Sequence, residues 1–224
     1  MGELVIDPRF NGPADSANGG YTCGLVADFL DGTAEVTLRR PPPLGRPLDV
    51  ERDGERVVVR DVEVVVAEAI PAQVDLEVPE PPTHEAAAEA SSRYPGFEEH
   101  AFPTCFVCGP DRDVGDGLRI FAGPLGNGLV ASPWTPTEVD RHIVSAALDC
   151  PGAIAVGSPD RGETLLGRFA VRIDDLPEIG ERCVVVGWPL GEEGRKLYAG
   201  TALYGEAGRP LAQARATWIV PLAL

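Results

Sequence analysis

The order of local patterns along this chain occurs twice, and a chain that repeats its own plan folds most simply as two like units packed on each other. Residues 19–30 place Leu25, Val26, Phe29 and Leu30 at helical spacing behind Asn18, a favoured N-cap, with Gly32 as a stop signal. Runs rich in β-branched residues follow at 34–39 and 57–66, and Val74, Leu76 and Val78 alternate as a strand would. The second part gives strand patterns at 117–121 and 128–131, a helical pattern at 149–156, and strand patterns at 165–173, 183–188, 197–204 and 212–220.

Two details tighten the repeat. The turn sequence Pro42-Pro43-Leu44-Gly45-Arg46 has a counterpart in Pro177-Glu178-Ile179-Gly180-Glu181, each ahead of a further strand. Asn18 precedes Glu35 by 17 positions and Asp149 precedes Leu165 by 16, which makes Asn18 and Asp149 pseudo-equivalent. A helix followed by a meander of strands, given twice, predicts an α+β protein with an antiparallel sheet wrapping a central helix in each half. Joining the two sheets edge to edge removes one open edge from each. We place the units at 1–80 and 113–224, with a linker at 81–112 marked by Pro81, Pro82, an Ala/Glu run and the Cys105-Phe106-Val107-Cys108 loop.

Charge and cysteine usage narrow the function. The 224 residues carry a formal net charge of −16, which disfavours nucleic acid and anionic membrane surfaces as partners. No window approaches a membrane span and the N-terminus has no signal-like pattern, so a cytoplasmic protein is expected. Five cysteines, an odd number, read as reduced thiols. One CxxC lacks two further ligands at a finger or ribbon spacing, so no metal is assigned from the spacing. No glycine-rich phosphate loop and no HExxH motif occur.

Three stretches carry a resemblance: FNGPADSANGGYTCGLVADFL, AALDCPGAIA and GRPLAQARATWIVPL. Their order resembles the double-hotdog acyl-CoA thioesterases, with Asn18-Gly19-Gly20 where the hotdog family often has His-Gly-Gly at its helix start. The resemblance implies two fused hotdog units with an acyl-CoA or acyl-carrier-protein substrate held at their seam. It also implies that a helix-start N–H holds the thioester carbonyl while a carboxylate from the other half acts on water, and Asp149 matches that carboxylate. The chain departs from the pattern at Asn18, and at Ala216 and Thr217, near where the bacterial enzymes carry a glutamine.

The residues themselves fit this chemistry. Gly19 and Gly20 lack a Cβ, so a carbonyl can approach N–H groups at a helix start, where the partial charge is positive. Asp149 sits between apolar neighbours and is expected to be desolvated and to titrate high; it equally suits the cap of a helix that begins at Pro151, next to Gly152. Thr164 follows that helix and, by the same resemblance, orients the attacking water. Arg195 and Lys196, beside Trp188, read as a coenzyme A contact or as an exposed hairpin tip.

The expected function is hydrolysis of an acyl thioester, with Asp149 and Thr164 catalytic and Asn18, Gly19, Gly20 and Gly152 binding substrate. No cofactor is expected beyond the coenzyme A of the substrate. A non-catalytic acyl-CoA-binding protein is the alternative, and a hydratase is disfavoured because none of His84, His100 and His142 falls at the site. Leftover sheet edges make a homodimer the expected assembly.

Overall fold

A computed structural model describes residues 2–157 and 164–221. The first half comprises β1 (Gly2–Val5), α1 (Gly19–Ala27), β2 (Ala34–Leu38), β3 (Pro47–Asp53), β4 (Arg56–Asp61) and β5 (Val64–Pro71). After α2 (His84–Ser91) come β6 (Gly123–Gly126), β7 (Leu129–Trp134), α3 (Arg141–Ala147) and α4 (Cys150–Ala155). The chain closes with β8 (Leu165–Ile173), β9 (Cys183–Glu193), β10 (Lys196–Tyr204) and β11 (Pro210–Ile219).

All 11 strands among the described residues form one antiparallel sheet, in the order β1-β3-β4-β5-β2-β8-β11-β10-β9-β7-β6. Read outward from the middle, the second half repeats the first: β8, β11, β10, β9 and β7 take the places of β2, β5, β4, β3 and β1. The halves join where β2 meets β8, through the pairs Glu35–Ala170, Val36–Phe169 and Thr37–Arg168. Val36 and Phe169 are buried there, so the join is also part of the core.

The paired turns behave alike. Gly45 and Gly180 both have positive φ, which a glycine adopts without strain. The Gly45 N–H donates to Ile6 O and the Gly180 N–H to Pro136 O, both at 2.8 Å, so each turn ties the start of its half to the next strand.

Several expectations change. The run 57–66 is two strands, reversed at Val62, which has φ 57°. Residues 74–78 join no ladder; the Leu76 N–H donates instead to Gln213 Oε1 at 2.7 Å, while Leu76 and Val78 pack on an outer apolar cluster. The pattern at 117–121 is not a strand, because Leu118 N–H and Ile120 N–H donate to the CxxC loop at Phe106 O and Val107 O. The helix expected at 149–156 is only the second segment of a broken one. Its first segment, α3, is capped by Asp140, which accepts from Ile143 N–H at 2.7 Å. β1 is a further element, and the strand expected after the Pro42–Arg46 turn is β3, in which only Leu48 and Val50 are buried along a polar, charged strand.

α1 and α3 cross closely, and glycine makes this crossing possible. A Cβ on Gly20 would lie 2.5 Å from Asp149 Cβ and 2.9 Å from Ser145 O. Ser145 Oγ donates to Gly20 O at 2.7 Å, locking the crossing.

Candidate active site

The broken helix decides where Asp149 points. With Leu148 ending α3 and Pro151 in the first turn of α4, the chain turns at Asp149, whose side chain makes no cap bond to its own helix. Its carboxylate faces the other half: Oδ2 accepts from Asn18 Nδ2 at 2.8 Å and from Gly20 N–H at 2.9 Å. The Asn18 carbonyl Oδ1 meanwhile caps α1 by accepting from Tyr21 N–H at 2.9 Å. One asparagine thus starts one helix and holds the carboxylate of another.

Asp149 is 2 % exposed. Burial pushes its carboxyl up to about 7, and the negative character of Cys105 adds to this; the donors at Gly20 and Asn18 oppose it. A group poised there exchanges protons readily at neutral pH. Its second oxygen, Oδ1, has no partner.

Asp149 Oδ1 is one of three unpartnered buried polar atoms, among the described residues, that belong to residues lining one cavity of about 470 Å³. The others are Thr164 Oγ1 and Trp218 Nε1. Buried polar atoms without partners cost roughly 1–3 kcal/mol each, so three in residues around one cavity call for a reason beyond packing. Most of the remaining wall is apolar, including Leu38, Tyr94, Ala153, Ile154, Leu166 and Ile219, with Arg39 and Arg40 at its edge.

The predicted residues divide. Asn18, Gly19, Asp149 and Thr164 line the cavity together. Gly20 stands behind it, its N–H taken by Asp149. Gly152 faces Trp218, Ala199 and Thr201, where a Cβ would come within 3.0 Å of Trp218 Nε1. Arg195 and Lys196 are exposed at the tip between β9 and β10. Trp218 escaped the sequence reading; an indole near the end of an otherwise alanine-rich strand was the available signal.

A thiol cluster borders the same cavity. The Sγ atoms of Cys105, Cys108 and Cys150 lie within 4.8 Å of one another. Bonds from Cys108 and Cys150, helped by the Val107 and Cys108 backbone N–H groups, hold the Cys105 thiol well below its ordinary range, while those same bonds to Cys105, together with burial, push the other two up. Asn18 Nδ2 also reaches Cys105 Sγ at 3.9 Å.

No family model matches the chain, and no curated protein matches it. Solved structures do. The tesB protein of Mycobacterium avium subs paratuberculosis aligns over 98 % of this chain and 92 % of its own at a TM-score of 0.59 and 15 % identity. A protein from Alicyclobacillus acidocaldarius described as having a hot dog fold aligns over 99 % and 93 % at 0.61 and 11 %. This is a hotdog fold. Acyl-CoA thioesterase II TesB2 of Mycobacterium marinum has the same hotdog architecture, over 98 % and 92 % at 0.58 and 11 %. The hotdog sheet here carries no helix long and apolar enough to cross a membrane, among the described residues.

Proposed function

We propose that the chain is a double hotdog that hydrolyses an acyl-CoA or acyl-carrier thioester at the seam between its halves, with Asp149 as general base. The observation that carries this reading is the divided carboxylate: one oxygen pinned by Asn18 and Gly20, the other unpartnered in a residue that lines the largely apolar cavity. The name of one structural neighbour, an acyl-CoA thioesterase II, supports it.

In this reading the acyl chain fills the cavity and the thioester carbonyl sits near Gly19 and Trp218. Asp149 Oδ1 takes a proton from water as the water oxygen bonds to the carbonyl carbon. Thr164 Oγ1 holds that water. The oxyanion receives hydrogen bonds from the Gly19 N–H, in the first turn of α1 where no intrahelical partner is available, and from Trp218 Nε1–H. Collapse breaks the C–S bond, and the departing thiolate recovers the proton from Asp149. Arg40, at the cavity edge of an acidic protein, meets the phosphates of the carrier.

Thiol release from a panel of short, long and aromatic acyl-CoAs tests this. General-base removal in Asp149→Asn should lower turnover by ~10²–10⁴-fold with melting behaviour intact. A second reading, acyl-CoA binding without hydrolysis, is favoured by the terminal strand, whose Gln213 is turned away to hold Leu76. Acyl-CoA that raises the melting temperature without releasing thiol would establish it.

A further inference from the structure

Independently of any hydrolase activity, we propose that Cys105, Cys108 and Cys150 bind one Zn²⁺ ion as thiolates, leaving its fourth position open to the cavity. The three sulfurs already lie within 4.8 Å of one another, which suits three corners of a tetrahedron with Zn–S bonds of about 2.3 Å. All three residues are buried and all three line the cavity, so the ion has soft ligands, a dry wall and a path of entry.

The loop is built for the task. Gly109 N–H donates to Cys105 O at 2.9 Å, closing a tight turn around the CxxC. A Cβ at Gly109 would sit 2.5 Å from Cys105 N and from Pro103 O, so this turn requires glycine. His100 supplies outer support: its Nδ1 accepts from Phe102 N–H at 2.9 Å, which places the ring proton on Nε2, 3.4 Å from Cys108 Sγ. His100 therefore donates to a ligand sulfur instead of occupying the fourth position. Catalytic zinc sites share this count of three protein ligands and one open corner, whereas structural sites are closed.

Binding takes all three sulfurs as zinc thiolates, and any proton still on a sulfur is released to solvent. Co²⁺ provides a visible probe. Titration of the reduced, chelator-treated full chain should saturate at one equivalent and show a sulfur-to-cobalt charge-transfer band that Zn²⁺ abolishes. Cys150→Ser should weaken binding by more than the ~10–100-fold expected for loss of an outer partner such as His100→Ala. Because a core cysteine variant can unfold, the wild type is also tested alone. Pulse alkylation with and without Zn²⁺ should protect Cys105, Cys108 and Cys150 together and leave Cys23 and Cys183 unchanged. Absence of stoichiometric Co²⁺ uptake, or protection of the CxxC pair without Cys150, would overturn the site. Neither readout depends on thioester turnover.

Discussion

The two ends of the central helix pair differ although the topology repeats. At one end the finish of β2, the start of β8, α1 and α4 enclose the cavity of about 470 Å³ with its three unpartnered polar atoms. At the other, the start of β2, the finish of β8, the end of α1 and the start of α3 enclose about 300 Å³, lined by Cys23, Asp28, Arg141 and Ser145. There, Ser145 is bonded to Gly20 O and Asp28 Oδ2 to His142 Nε2 at 2.6 Å. The difference is one helix break. α1 runs uninterrupted from its Asn18 cap, while its counterpart stops at Leu148 and restarts at Cys150, leaving Asp149 free to reach across. A chain whose two halves repeat one strand order allows such a break in one half without imposing it on the other.

The comparison can be broken at its strongest point. Asp149→Asn should abolish nearly all turnover, by ~10²–10⁴-fold, whereas Asp28→Asn at the opposite end should leave thiol release unchanged. Equal losses in both variants would mean that the ends are functionally alike. Trp218→Phe keeps the ring and removes the donor; kcat should fall by about 10²-fold with little change in KM, as for one oxyanion donor.

Proton linkage sharpens the same contrast. A carboxyl held at about 7 when folded, against about 4 when unfolded, binds more protons in the native state between those values. Its contribution to stability is therefore greatest below pH 4 and declines until the pH passes about 7. The melting temperature of Asp149→Asn should gain on the wild type across that window, by on the order of a few kcal/mol in stability, while turnover of the wild type rises through pH 7. A pH-independent gap between the two melting curves would show that Asp149 is not buried in this manner. Gly20→Ala, which forces a Cβ against Asp149 and Ser145, should cost about 1–3 kcal/mol in a denaturant titration. Gly24→Ala, with its closest approach at 3.0 Å to Ser145 Cβ, should cost less.

The repeat and the strands at 34–39 and 165–173 were legible because each rests on local patterning. The meeting of Asn18 with Asp149 was implied by the resemblance and not by patterning. What failed was local in appearance but tertiary in cause. Leu118, partly buried, and Ile120, fully buried, bond to the CxxC loop, so their alternation imitated a strand. Val64 to Val66 continued the valines of 57–59 through a reversal that carries no Gly or Asn. α3 was announced by Asp140 ahead of an apolar run, yet Ile143 and Val144 are β-branched and masked it. Cys150 joins the CxxC pair from more than 40 positions away, a distance that ligand-spacing rules do not span.

The position of β11 has a consequence for the chain as it is made. β11, the last strand in chain order among the described residues, is an interior one, inserted between β8 and β10 and bearing Trp218. Until β11 has emerged, β8 and β10 each present an unpaired edge and the cavity lacks one wall. A nascent or truncated copy is thus prone to associate with its neighbours before it can do any chemistry.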